Sequence, residues 1–214
     1  MKKQSQYIPA LHFHWLTRWY DPMMKYLFHD ETLKMALMNQ TYIQPDQTVL
    51  DMGCGTGTLA LMIKQLQPNA KIYGLDIDPQ ILDMANKKVQ QTGSQIDLQQ
   101  GSATCLPYPD QSFDHVFVSL VLHHLTRQDK QQALKEAFRV LKIGGELHVV
   151  DFGEPHNAMM WSISWLTRWF EEVYDHVLGL LPVYTEEAGF QPVEEITSYH
   201  SILGTVVLYH TSKP

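Results

Sequence analysis

The chain has 214 residues, of which 44% are hydrophobic and 11% aromatic, with a formal net charge of −7 at pH 7. That length supports one domain with a sizeable core, and an acidic balance with no long Lys/Arg run speaks against a nucleic-acid-binding surface. Two cysteines, Cys54 and Cys105, give no disulfide framework and fit a reducing cytosol; no signal peptide and no transmembrane run of about 18 apolar residues is expected.

Residues 6–28 are dense in aromatics, and Trp15 and Trp19 are spaced to share a helix face. Trp165-Leu166-Thr167-Arg168-Trp169-Phe170 nearly copies Trp15-Leu16-Thr17-Arg18-Trp19-Tyr20, but nothing around the copies repeats, so no duplicated domain is read. A helix is expected from Asp30 to Asn39 or Tyr42, then a turn at Gln44-Pro45-Asp46. Thr48 to Met52 is an apolar strand carrying Asp51, and Gly53, Gly55 and Gly57 follow at alternate positions. An apolar-periodic helix then runs from near Thr56 or Gly57 to Leu66. Glycine tolerates φ > 0, its missing Cβ lets a ligand lie against the backbone, and the helix start points free N–H groups at that ligand. A small molecule is therefore expected on this turn. Its spacing fits two ligand classes. Gly55, Gly57 and Ala60 with Asp76 fit the dinucleotide fingerprint, whereas Asp51, Gly53, Gly55 and Gly57 fit acid-x-Gly-x-Gly-x-Gly.

A second strand runs from Lys71 to Leu75 and ends at Asp76. Asp78 and Pro79 open a helix to about Gln91, and Ile96 to Gln99 is a short strand. After the rigid loop Leu106-Pro107-Tyr108-Pro109-Asp110, Phe113 to Ser119 reads as a fourth strand. A helix from Arg127 to Leu141 is expected to stop at Lys142 and Gly144-Gly145, and Glu146 to Asp151 is the fifth strand. The aromatic segment from Asn157 to Leu180 reads as helix. Gln191 to Tyr199 and Gly204 to His210 read as a strand pair. Strands alternating with helices imply an α/β fold with a largely parallel sheet covered on both faces.

The ordered matches across residues 46–151 resemble the class I S-adenosylmethionine-dependent methyltransferases. They comprise Asp51-x-Gly53-x-Gly55-x-Gly57, Asp76, Gly101-Ser102-Ala103 with Leu106-Pro107-Tyr108, Phe113 to Ser119 with Leu122-His123-His124-Leu125, and Arg139-Val140-Leu141-Lys142-Ile143-Gly144-Gly145. Tyr20-Asp21-Pro22-Met23 resembles an element of the ubiquinone and menaquinone biosynthesis (type 11, UbiE-like) branch. The resemblance implies a Rossmann-like seven-stranded mixed sheet of order 3-2-1-4-5-7-6, with strand 7 antiparallel, helices on both faces and an N-terminal helical lid. A single domain over 1–214 is expected: lid 1–44, cofactor core 45–152, helical insertion 153–189 and strand pair 190–214.

The resemblance also implies S-adenosyl-L-methionine as cofactor. Asp51, Gly53, Cys54, Gly55 and Gly57 would support its methionine end, and Asp76 its ribose. Ile77, Ser102 and Ala103 would lie at the adenine and Ser119 at the loop that meets its amino group. Ser102 stands where the family usually has Asp, and Ile143 where it has Pro. Val118 to His124 replaces the polar, arginine-containing segment of the quinone enzymes. His124 and then His123 are the candidate bases, with Tyr20 closing over the cofactor and His14, Glu154 and His156 as outer options. No metal is expected. The acceptor is read as a small apolar or aromatic molecule, lipid-like in one version, methylated on C, O or N. Peripheral membrane contact and a cytoplasmic setting go with that reading. A nicotinamide-dependent oxidoreductase and a non-catalytic binding module that serves a partner remain the alternatives.

Overall fold

The computed structural model describes residues 30–155, 175–201 and 204–214. Tyr20 and the rest of the aromatic lead segment lie outside them, as does the expected helix between 157 and 174. The elements are α1 (Asp30–Met38), β1 (Thr48–Met52), α2 (Thr58–Leu66), β2 (Lys71–Asp76), α3 (Pro79–Thr92) and β3 (Ile96–Gln100). They continue with β4 (Phe113–Ser119), a 3-10 turn (Leu122–His124), α4 (Arg127–Val140), β5 (Leu141–Phe152), α5 (Leu181–Glu187), β6 (Glu194–Ser201) and β7 (Gly204–Ser212).

The strands form one seven-stranded sheet of order β3-β2-β1-β4-β5-β7-β6. β1 to β5 pair in parallel, and β7 is antiparallel to both β5 and β6. The order matches the one implied by the resemblance. Along β1, Val49 and Leu50 point to opposite faces and both are fully buried, because helices cover the sheet on both sides. Under α4 and α5 the core contains Leu50, Phe113, Val116, Leu134 and Phe190. Under α1 and α2 it contains Leu37, Val49, Ile63, Phe117 and Leu208.

Local chemistry explains most boundaries. Asp78 caps α3 by accepting from the Gln80 N–H, Pro79 occupies the first turn, and Gly93 ends the helix in the left-handed region at φ 64°. Thr126 caps α4 through the Asp129 N–H. Two expectations are corrected. The Gly144-Gly145 pair does not stop α4: the chain turns extended at Leu141, which pairs with Phe113, and the glycines lie inside β5. There Gly144 N donates to the Lys213 carbonyl and Lys213 N to that of Gly145. A Cβ on Gly145 would stand 2.9 Å from the Lys142 carbonyl oxygen and 3.0 Å from that of Asp114. The second correction is α5, a seven-residue helix absent from the expected elements. Its Pro182 sits in the first turn, where the missing N–H costs nothing.

Phe113 is 1% exposed and packs edge-on against Tyr73 at 5.4 Å and Tyr108 at 4.9 Å between ring centroids. Phe113→Ala is expected to cost about 3–5 kcal/mol. The measurement is denaturant unfolding, with a lowered midpoint and an unchanged slope.

Candidate active site

The turn after β1 is built on three left-handed glycines: Gly53 at φ 80°, Gly55 at 53° and Gly57 at 74°. Each has a different steric reason. A Cβ on Gly53 would lie 2.4 Å from Val121 Cγ2, so this glycine admits the loop after β4. A Cβ on Gly57 would press on Ala85 of α3 at 3.2 Å. A Cβ on Gly55 would meet nothing within 4 Å, so its bare backbone faces open space. Gly57 has no side chain with which to cap α2. The buried Asp51 carboxylate takes that part by accepting from the Ala60 N–H at 3.2 Å. Gly53 and Cys54 N–H groups both donate to the Leu75 carbonyl, tying the turn to β2. Cys54 is buried, its thiol pushed up by desolvation and then by Asp51 and Asp76, which leaves it an inert packing group.

Asp76 ends β2 beside this turn. Its Oδ2 accepts from Gly55 N at 2.8 Å and its Oδ1 from Asp78 N at 3.0 Å. Burial raises its carboxyl against these backbone hydrogen bonds. A carboxylate has about four lone-pair sites, so each oxygen keeps one for a ligand hydroxyl. Ile77 next to it is 38% exposed, a large apolar side chain left at the mouth. The Ser102 hydroxyl is engaged with Thr104, taking a bond from its N–H at 3.2 Å and sharing one with its Oγ1 at 2.8 Å. Ala103 packs against the core. The following loop is pinned from α4: Glu136 accepts from Leu106 N, and Arg139 donates to the carbonyls of Leu106 and Tyr108.

Ser119 ends β4, and Leu120 then takes φ 56°, a left-handed conformation unusual for leucine. The cause lies at the end of β5. Asp151 is fully buried, and its Oδ2 accepts from the N–H groups of Val121, Leu122 and His123 at 3.1, 2.7 and 3.4 Å. Its Oδ1 accepts from Phe152 N and contacts His123 Nδ1, each at 2.8 Å. Desolvation opposes ionisation, but His123, His176 and the Phe152 N–H together hold the Asp151 carboxyl below its ordinary range. An ionised Asp151 can only accept, so His123 Nδ1 carries the hydrogen and Nε2 is the basic nitrogen.

The His124 ring lies 3.9 Å from that of His123, between centroids. Burial, and then His123, push it down to about 3, so it is neutral near pH 7 and a weak base. His176 joins the group: its Nδ1 donates to the Phe152 carbonyl at 2.8 Å and lies 3.9 Å from Asp151 Oδ1. Neither Asp151 nor His176 was singled out from the sequence. The available signal was an apolar strand ending in an acid, Leu147-His148-Val149-Val150-Asp151. The structure brings together Asp51, the glycines, Cys54, Asp76 and Ile77 on one side. Ser119, Val121 and the histidines approach through the loop resting on Gly53. Of the outer options, Glu154 is exposed on the segment after β5, and His14, Tyr20 and His156 are outside the described residues.

The His124 shift has a pH consequence. Its unfolded pKa is about 6.5 and its folded pKa about 3. Between those values the unfolded chain binds the extra proton, so stability is complete above about pH 6.5 and falls as pH drops toward 3. Thermal melts from pH 7 to pH 4 should show a falling Tm. His124→Gln should make that fall shallower.

Residues 49–145 match the family described as Methyltransferase domain. The demethylmenaquinone methyltransferase of Lactobacillus johnsonii is 40% identical over 119 residues, covering 54% of this chain and 48% of that one. The UbiE ubiquinone/menaquinone biosynthesis C-methyltransferase of Xanthomonas oryzae is 35% identical, covering 70% and 56%. The chain thus spans about half the length of these relatives. The UbiE protein of Salmonella arizonae is 33% identical, with 98% of this chain and 91% of that one covered. A phosphoethanolamine N-methyltransferase of Haemonchus contortus shares the fold at TM-score 0.78 and 15% identity, over 97% of this chain and 60% of that one. At the identity and coverage of the Salmonella relative, the chain belongs to the UbiE type of class I S-adenosylmethionine-dependent methyltransferases.

Proposed function

We propose that this protein transfers a methyl group from S-adenosylmethionine to a small apolar or aromatic acceptor of the quinone-precursor kind, by in-line displacement. The observation that carries the cofactor assignment is the pairing of Gly55 and Asp76. Gly55 offers bare left-handed backbone to open space, and Asp76, hydrogen-bonded to its N–H, keeps lone pairs for two hydroxyls. The residues fit an adenosyl group held by its ribose on Asp76, with Ile77 against the base and the methionine end over Gly53 and Gly55. Ser102 is occupied by Thr104, so the adenine amino group would be met by backbone of this loop instead of the serine hydroxyl.

When bound, the cofactor supplies a sulfonium methyl, an electrophile that leaves a neutral thioether. The chain's own tasks are to align the acceptor, exclude water and take the acceptor's proton. His123 suits the last task better than His124. Asp151 fixes its Nδ1–H and leaves Nε2 free to accept, whereas burial makes His124 a poor base. His124 then serves as a neutral wall against the His123 ring. Tyr20 remains the proposed closing residue over the cofactor. Carbon methylation is favoured over N- or O-methylation because the relatives of the Salmonella and Xanthomonas type are named C-methyltransferases. No helix among the described residues is long and apolar enough to cross a membrane. Aromatic residues 6–28 would meet a lipid-like acceptor at a membrane surface, from a cytoplasmic setting in which Cys54 and Cys105 stay free thiols. The family assignment disfavours the nicotinamide and non-catalytic readings.

Calorimetry and transfer of labelled methyl to demethylmenaquinone test this. Wild type should bind S-adenosylhomocysteine, and Asp76→Ala should weaken that binding by at least about tenfold. His123→Ala should lower kcat by about 10²–10⁴-fold with product binding unchanged, and His124→Gln should retain most turnover. Uptake of a nicotinamide dinucleotide without S-adenosylhomocysteine binding would overturn the cofactor assignment. Full turnover by His123→Ala would remove it as the base.

A further inference from the structure

At the opposite edge of the sheet from the glycine turn, strand register gathers a second group of ionisable side chains. His115 on β4 pairs directly with Glu146 on β5, and His148 on β5 pairs with His210 on β7. Glu146 and His148 are two apart on one strand, so all four share a face. His115 Nδ1 and His148 Nε2 are 3.4 Å apart, and each lies 3.3 Å from Glu146 Oε2. His210 Nε2 is 3.8 Å from the same oxygen.

With both rings neutral, the hydrogens of this cluster do not add up. Two neutral imidazoles own two N–H groups. Gln47 Oε1, 3.1 Å from His115 Nε2, and Gln40 Oε1, 3.3 Å from His148 Nδ1, are both acceptors and take them. The inward nitrogens of both rings are then bare lone pairs, close to each other and to one carboxylate oxygen. Glu146 Oε2 and His210 Nε2 are buried, and neither makes a hydrogen bond of good geometry among the described residues. Gln40 Nε2 is also buried without a partner among the described residues; turning this amide over would let it donate to His148 Nδ1 and free one N–H at His148 Nε2, which His115 Nδ1 and Glu146 Oε2 would still have to share. A tetrahedral cation with nitrogen and oxygen donors at about 2.0–2.1 Å sets them about 3.3–3.4 Å apart, and these three side chains already have that spacing. Gln40 and Gln47 would act as the outer partners that fix each ring's tautomer.

We propose that His115, Glu146 and His148, with His210 completing the set, bind a borderline divalent cation of the Zn²⁺ class. The site is structural: it cross-links β4, β5 and β7, and it lies four residues, about 13 Å, along β4 from Ser119.

The test uses the full chain stripped with a chelator and titrated with Zn²⁺ alone in competition with a chromophoric chelator. Wild type should take up about one equivalent and melt at a higher temperature with it. Glu146→Gln and the rim variant His210→Ala should each lose at least about tenfold in affinity. Their binding of S-adenosylhomocysteine should be unchanged, which also shows that they fold. Co²⁺ should give the strong visible bands of a tetrahedral complex in wild type and lose them in Glu146→Gln. No Zn²⁺ uptake at micromolar metal, or equal uptake by wild type and both variants, would overturn the proposal.

Discussion

A carboxylate wholly removed from water, Asp151, sets the geometry of the sheet end that carries the proposed site. A charge in that position is tolerable only if it is surrounded by donors. Four backbone N–H groups and one imidazole supply them. Three of those N–H groups come from the start of the 3-10 turn after β4, where they would otherwise be orphaned inside the protein. The carboxylate and the turn therefore satisfy each other. Leu120 accepts its left-handed φ of 56° as the local cost of bringing the chain round to that anion.

That arrangement reaches the cofactor turn through one contact. The loop held by Asp151 sets Val121 against the α-carbon of Gly53, in space that a Cβ would occupy. Gly53 is thus required by the opposite strand as much as by its own turn. Asp51 and Asp76 fix the same turn from below and beside, through Ala60 N and Gly55 N. Three acids at or near the C-terminal ends of β1, β2 and β5 each hold backbone N–H groups of a neighbouring turn, loop or helix start. Little backbone need move when a ligand arrives, which is what an in-line reaction requires of its frame.

The largely parallel sheet was legible because strand and helix periods alternate, and its order followed from the resemblance carried by the glycine and Arg139-to-Gly145 stretches. Local signals were as informative: Asp78-Pro79 and Thr126 mark helix starts through the chemistry of their side chains. Gly144-Gly145 looked like a helix stop, yet its role is set by pairing with Lys213, about 70 residues on. The proposed base depends on pairing in the same way. His123 and His124 are equivalent in a sequence, and Asp151 on another strand and the depth of burial distinguish them. Asp76 and the glycines, by contrast, meet within one βαβ unit, so their proximity needed only local signals.

The same dependence on register explains why the histidine cluster was invisible while no metal was expected. Four residues scattered from His115 to His210 become neighbours only once β5 lies between β4 and β7. The two edges of these strands then present opposite bookkeeping. At the C-terminal edge the buried acid has more donors than it can lose, so it needs no added charge. At the N-terminal edge the acid and two imidazoles have fewer hydrogens than acceptors. Both edges belong to the same pair, β4 and β5, whose register also carries Ser119 beside Val150 and Asp151 beside the exit loop. A cation joining His115 to Glu146 and His148 would lock that register at one end, and so stabilise the alignment on which Asp151 and His123 depend at the other.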